Sequence, residues 1–377
     1  MRVKLIAKNA GEISGISNYA RQLHAAYQAA GLDSSLDSPD PTPIPGWVAR
    51  AAKALGYDVS AFFRSYPLTV QDASDTIVHL TSQTLGTTLT FRRPERTVIT
   101  VHDILPYMLR NVPELSHYRH RAERFFDSLA MRNLNRADAI VADSAYTKHT
   151  LIDVLNISDE RIHVVHLGID HTRFRPLPAV ELERKRFGLP NGAPLVLYVG
   201  SEAPRKNLSA LVDAFQIVRG AHPDALLVKV GRPQFDVERQ RLVEHVRRRG
   251  LADNVVFLDE VGFDDLVTLY SIADVFVLPS LYEGFGFPAL EAMACGTPVV
   301  AANTSSLPEL VGDAALSVDP RSPDHIADAI VRLLDSAALR ADYSRRGRAH
   351  VGQFTWERTA HSTLAVYTAT FGLDTAT

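Results

Sequence analysis

The sequence predicts an α/β protein made of two doubly wound, Rossmann-like domains facing a central cleft. Three observations carry that expectation. Short apolar runs alternate with helical patterns along the 377 residues, the signature of βαβ units and parallel sheets. The alternation comes as two series, separated by the Pro- and Arg-rich stretch RFRPLPAVELERKRFGLPNGAP at 173–194. The length also suits two domains better than one.

The first series opens with VKLIA (3–7), a Gly-containing loop and the helix-like NYARQLHAAYQAA. TIVHLT (76–81), RTVITVHD (96–103), ADAIVADS (137–144) and RIHVVHLGID (161–170) follow as further strands. Pro39, Pro41, Pro43 and Pro45 cluster within 33–46, which reads as a loop ahead of an amphipathic helix at 46–56. The second series contains PLVLYVG (194–200), ALLVKVG (225–231), NVVFLDEV, ADVFVLP and TPVVAAN, with helical segments between them. Short apolar strands ending at Gly, Asp or Pro suit a fully buried parallel sheet. The expected boundaries are 1–172, a linker at 173–194, 195–355 and a terminal helix at 356–377.

Composition narrows the function classes. Hydrophobic residues make up 46% and charged residues 22%, and the net charge of -3 gives no argument for nucleic acid as a partner. The single cysteine, Cys295, excludes an internal disulfide and a cysteine-based metal cluster. The apolar start MRVKLIA breaks at Lys8, too short for a signal-peptide core, so it reads as a first strand. No run reaches the eighteen or so apolar residues that span a bilayer. The expectation is a soluble cytoplasmic protein, with attachment to a membrane surface left open.

The segment LYEGFGFPALEAMACGTPVV (281–300) sets Glu283 and Glu291 on either side of a Gly-rich bend. Gly284 and Gly286 permit backbone conformations that other residues resist, and Pro288 suits the first position of a helix. On this reading Glu283 lies on the loop and Glu291 in the first helical turn. Free N–H groups at the positive end of the helix would bind an anion while the carboxylates accept hydrogen bonds from hydroxyls. A diphosphate flanked by sugar hydroxyls fits that description.

Three further segments carry chemistry. SEAPRKNL places Arg205 and Lys206 just after the strand ending at Gly200, where two cations suit a diphosphate. GEISGISNYARQL is a Gly-containing turn without G-x-G-x-x-G spacing, so a tight packing turn and a phosphate contact through Gly15 are both open. VITVHDILPYML ends a strong strand at His102 and Asp103, where a sugar-contacting or catalytic His102 competes with a merely satisfied one. With neither D-x-D nor H-x-x-x-H spacing, no obligatory metal is inferred; the cations at 205–206 could neutralise a leaving diphosphate instead.

Together these segments resemble the retaining glycosyltransferases of family 4, which have the GT-B fold. The resemblance runs through nearly the whole chain and is strongest from Gly200 to Asp319, on PRKNL, ADVFVLPSLYEGFG, the E-x7-E segment and SSLPELVGDAAL. FTWERTAHSTLAVY (354–367) is similar to the terminal helix that such proteins send back across the first domain. The resemblance implies that Glu283 holds hydroxyls of the donor sugar, assisted by backbone N–H groups from Phe285, Gly286 and Phe287. Glu291 would accept from the ribose, Arg205 and Lys206 would stabilise the diphosphate, Gly15 would approach the phosphates, and His102 would sit near the transferred sugar. GEISG departs from the adjacent glycines of many relatives, and Ser201 stands where some carry another arginine.

The implied activity is retaining transfer of a hexose from a nucleoside-diphosphate sugar, with no cofactor. The motif wording is most similar to bacterial mannosyltransferases of polysaccharide or lipid-linked glycans, which suggests GDP-mannose and a glycan or lipid-linked acceptor. A UDP-hexose donor is the alternative within the family, and a non-catalytic nucleotide-sugar-binding protein is the alternative outside enzymes. Between Arg92 and Arg136 lie nine arginines, no lysine and five acidic residues, a formal +4, interleaved with Tyr107, Met108, Leu109, Tyr118, Phe125 and Phe126. That pattern raises peripheral contact of 106–132 with the cytoplasmic membrane, against a helix whose aromatics pack inward.

Overall fold

The computed structural model describes residues 1–8, 15–40, 42, 44–54, 59–70, 75–112, 118, 121–178, 180–233 and 235–373. The chain divides into two compact units: Met1–Gly168 together with Trp356–Thr377, and Ile169–Thr355.

In the first unit six strands form one sheet: β1 (Arg2–Ile6), β2 (Asp33–Asp37), β3 (Thr76–Leu80), β4 (Thr97–Val101), β5 (Ala139–Ala142) and β6 (Ile162–Val164). Their order is β2-β1-β3-β4-β5-β6, and every pairing is parallel. The central strands read TIVHL, TVITV and AIVA and are buried along their whole length, as strands covered on both faces must be. Register then places polar residues. Thr97–Val101 pairs with Ala139–Ala142 so that Val101 faces Ala142, which sets His102 beside Asp143 one step beyond the strand ends.

β2 corrects the expectation of a loop over 33–46. DSSLD has no β-branched residue and two aspartates, so strand propensity argues against it. Pairing along β1 and cross-strand charge override propensity: Arg2 meets Asp33 at 2.8 Å and Lys4 meets Asp37 at 3.6 Å. A polar strand at a sheet edge also resists further pairing. The expected amphipathic helix appears as Gly46–Ala54.

The helix Trp356–Phe371 belongs to the first unit. It buries Trp356, Thr359, Ala360, Thr363, Val366 and Tyr367, a stripe at helical spacing. Thr359 Oγ1 donates to the His166 carbonyl at 2.9 Å.

The second unit contains β7 (Leu195–Val199), β8 (Leu226–Val230), β9 (Val255–Leu258), β10 (Val275–Leu278), β11 (Val299–Ala302) and β12 (Leu316–Val318). They form a parallel sheet in the order β12-β11-β10-β7-β8-β9. Strand order reverses between β7 and β10, and in doubly wound sheets ligands bind at the carboxyl ends beside that reversal. The stretch 173–194 packs onto this unit: Arg184 donates to the Ile272 carbonyl and to Asp274, both at 3.2 Å. Among the described residues no helix is long and apolar enough to cross a membrane.

Candidate functional site

The loops after β7 and β10 lie side by side at the reversal of the second sheet, tied by the Leu281 amide donating to the Arg205 carbonyl at 2.8 Å. Asn207 ends the first loop in the left-handed region, φ 60°, where Asn is tolerated. Its side chain donates to the carbonyls of Pro279 at 3.1 Å and Pro320 at 2.6 Å, fixing the turn against the neighbouring loops.

Glu283 is the centre of this arrangement, with 6% of its surface exposed. Lys206 Nζ and Ser280 Oγ donate to its Oε1 at 2.6 and 2.7 Å, and Arg205 Nη1 stands 3.4 Å from Oε2. Burial opposes the charge on this carboxyl, but Lys206 and Arg205 outweigh it and hold Glu283 below the usual carboxylate range. Arg205 also donates to the Tyr282 carbonyl at 3.1 Å. Two cations around one carboxylate leave a formal +1, on a guanidinium that is 22% exposed. Among the described residues Oε2 has only the long Arg205 contact, which leaves it room to accept from a hydroxyl.

Gly286 turns the chain from this loop into the helix Phe287–Ala294 with φ +117°, and a Cβ there would stand 2.8 Å from Leu307 Cδ2. The bend is pinned from beneath by Ser306, whose Oγ donates to the carbonyls of Glu283 at 3.1 Å and Phe285 at 2.8 Å. Pro288 sits in the opening positions of the helix. The Phe285 and Phe287 rings stack at a tilt, 5.0 Å apart. Glu291 corrects the sequence expectation: the first turn holds no acidic residue, and Glu291 lies one turn further in, because the helix begins at Phe287 itself. Tyr270 OH donates to Glu291 Oε2 at 2.8 Å. Burial pushes this carboxyl up to about 7, against the hydrogen bond from Tyr270.

Sequence reading missed a second buried charge cluster in the same unit. Lys229 Nζ donates to Glu202 Oε1 at 2.6 Å, Arg239 Nε donates to the same oxygen at 2.7 Å, and Arg239 also reaches Asp259. Lys229 is 1% exposed, and among the described residues Glu202 Oε2 is buried without a hydrogen-bond partner. The available signal was a lysine inside the apolar strand LLVKV.

In the first unit, His102 stands where register puts it. Its Nδ1 lies 3.1 Å from Asp143 Oδ2 and its Nε2 lies 3.0 Å from the Thr81 carbonyl. Both ring nitrogens face acceptors, so both bonds form only when the ring carries two protons. Burial disfavours that charge, but Asp143 outweighs it and raises His102. Burial likewise raises Asp143, to about 6, against the hydrogen bond and charge of His102. Gly15 is the first residue of the helix Gly15–Ala29; the loop 9–14 ahead of it lies outside the described residues.

The basic, aromatic stretch sorts by face. Tyr107 and Met108 pack on the core and Leu109 is 6% exposed, while Phe126 packs against Phe62 at 5.0 Å and Phe63 at 5.7 Å. Tyr118 OH donates to Asp127 at 2.5 Å. On the helix Arg121–Asn133, Phe125 is 63% exposed, flanked outward by Arg121, Arg124 and Arg132. Glu114 and Arg119 lie outside the described residues.

Two family models cover the chain in turn. Residues 13–173 match "Glycosyltransferase Family 4" and residues 179–350 match "Glycosyl transferases group 1". The chain is 35% identical over 281 residues to O-antigen chain mannosyltransferase B of Escherichia coli, covering 73% of this chain and 71% of that protein. It is 36% identical over 244 residues to D-inositol 3-phosphate glycosyltransferase of Salinispora arenicola, covering 61% of this chain and 54% of that protein. Its fold matches that of sucrose-phosphate synthase from Thermosynechococcus elongatus with a TM-score of 0.75 at 24% identity, covering 98% of this chain and 99% of that one.

Proposed function

Since the chain belongs to glycosyltransferase family 4 and has the GT-B fold of two Rossmann-like domains, we propose that it moves mannose from GDP-mannose to a glycan or lipid-linked acceptor, with retention and without a divalent metal. The observation that carries the reading is the buried Glu283 with Lys206 and Arg205 at the strand-order reversal. Glu283 aims both cations at one point and keeps an oxygen for a sugar hydroxyl. When the bond from sugar to diphosphate breaks, the electron pair stays on the diphosphate, and preorganised cations stabilise charge developing there. Glu291, one helical turn from the Gly286 bend, accepts from the ribose. The acceptor hydroxyl attacks the face the diphosphate leaves, its proton passing to the departing diphosphate, and His102 is a site residue of the first unit.

Mannose is favoured by likeness to the E. coli mannosyltransferase, which supports polysaccharide or lipid-linked glycan assembly as the setting. The membrane reading narrows from 106–132 to the outward face of the helix Arg121–Asn133, where arginines flank an exposed phenylalanine. The test is a panel of GDP- and UDP-sugars read by thermal shift and then by release of nucleoside diphosphate. A ligand present at a hundredfold excess over Kd adds roughly 2.7 kcal/mol of stability. GDP-mannose is expected to give the largest shift and to turn over. A shift confined to UDP-sugars replaces the donor with a UDP-hexose, and binding without turnover leaves a nucleotide-sugar-binding protein.

A further inference from the structure

Beneath His102 runs a chain of polar groups sealed inside an otherwise apolar core. Tyr27 OH donates to Tyr367 OH at 3.0 Å; Tyr367 OH meets His79 Nδ1 at 2.5 Å; His79 Nε2 meets Thr100 Oγ1 at 2.7 Å; and Thr100 Oγ1 meets Tyr19 OH at 2.9 Å. The five side chains are at most 1% exposed. Tyr19 closes the series on His102, its ring standing edge-on to the imidazole with centroids 5.0 Å apart and planes at 81°. The strands dictate the line. His79 pairs with Val98, so His79, Val98, Thr100 and the position of His102 alternate onto one face of the sheet.

The chain has a polarity. Burial, and then the charge of His102, lower His79 to about 3, so its neutral ring has one donor and one acceptor. Tyr367 already accepts from Tyr27 and needs an acceptor for its own proton, which among the described residues His79 Nδ1 supplies. Nε2 of His79 therefore carries the hydrogen and donates to Thr100, whose hydroxyl passes its hydrogen to Tyr19. The four bonds of the line therefore run in one direction, from Tyr27 to Tyr19, and such a chain of buried bonds is mutually reinforcing.

We propose that Tyr367, on the C-terminal helix, is a positioning residue for His102: by fixing the His79 ring it fixes Thr100 and the Tyr19 ring that braces the imidazole. The groups facing His102 are Asp143, Asp103, the Thr81 carbonyl, His79 and Tyr19; Asp143 and the Thr81 carbonyl hold its protons, Asp103 and His79 act on it through charge, and Tyr19 sets its orientation. The proposal rests on the reading of His102 as a site residue.

The test compares Tyr367→Phe, Thr100→Val, Thr100→Ser and His102→Ala in the full chain. Turnover of the donor found by the panel is read as nucleoside diphosphate release, and the His79 and His102 rings are followed by 15N NMR as a function of pH. Tyr367→Phe and Thr100→Val are expected to lower kcat on the order of tenfold, with donor KM within about twofold, and to displace the His102 ring signals. Thr100→Ser, which keeps the hydroxyl, is expected to restore both. If Tyr367→Phe and Thr100→Val lower only the melting temperature, leaving kcat and the His102 signals as in the parent, the chain is structural and the proposal falls. Full turnover in His102→Ala overturns the reading of His102 itself, a failure told apart because the ring coupling in the other variants is measured without activity.

Discussion

Glu283 and Glu291 are the same residue type eight positions apart, yet their surroundings drive them in opposite directions. Glu283 is held ionised by Lys206 and Arg205, whereas Glu291 has only a tyrosine hydroxyl against burial and sits near pH 7. A ribose hydroxyl pair donates best to a carboxylate, so nucleotide binding should draw the proton off Glu291. Affinity for the nucleoside diphosphate is then expected to rise as pH climbs toward about 7 and to level off above it, and Glu291→Gln should flatten the profile in titration calorimetry. For stability the sign reverses: a carboxyl raised in the folded state holds its proton there, so this group's contribution falls as pH rises from the ordinary glutamate range through about 7. Replacing Glu291 by Ala is expected to weaken diphosphate binding, and Glu283→Ala chiefly to slow transfer, each lost charged hydrogen bond costing about 1.5–3 kcal/mol. Equal losses of diphosphate affinity in the two variants would contradict the division. Lys206→Met, which takes the nearer cation from a buried carboxylate, should cost about 3–5 kcal/mol in chemical denaturation.

Segments of chain explain what could be read in advance and what could not. β3, β4, β7, β8 and β10 are legible because strands covered on both faces are largely apolar and β-branched, and the E-x7-E segment is legible because Gly286 takes a left-handed angle and Pro288 suits the opening of the helix. β2 was hidden because its stability comes from β1 and from ion pairs rather than from its own residues. Asp143 and Thr81 were hidden for a different reason: their partnership with His102 is a product of strand register, which no single strand encodes. Glu291 moved past the first turn because the helix starts one residue earlier, at Phe287, a start set by a backbone angle, here Gly286 at φ +117°. That angle gives a prediction of its own. Gly286→Ala should cost about 1–3 kcal/mol of strain, lowering the melting temperature while leaving the first unit's amide protection in hydrogen exchange unchanged. Loss of protection in the first unit instead would show that the bend is not where the strain resides.

For the protein as a whole, electrostatics divides the labour. A chain of net charge -3 carries its outward arginines around Phe125, and if that face meets anionic lipid, liposome flotation should require acidic headgroups and fade as salt screens the charge. Failure to float at low salt would leave the acceptor side to soluble glycans. Transfer is expected to persist in a chelator if Arg205 and Lys206 meet the diphosphate as proposed. Activity lost in EDTA and restored only by Mn²⁺ or Mg²⁺ would show that they do not suffice.

The first unit is assembled from two pieces of sequence, 1–168 and 356–377, and this has a consequence for its birth on the ribosome. The segment 169–355 emerges between them, which at 5–20 residues per second takes roughly 10–40 s. Throughout that interval Tyr27 and His79 have no Tyr367, and the seat of the last helix stands open. The contiguous unit can close first; the unit built from residues 1–168 has to wait for residues 356–377. Nascent chains stalled so that translation has exposed residues up to 355 are therefore expected to show a protease-resistant second unit beside a digestible first one, with protection of the first gained when residues 356–377 clear the tunnel.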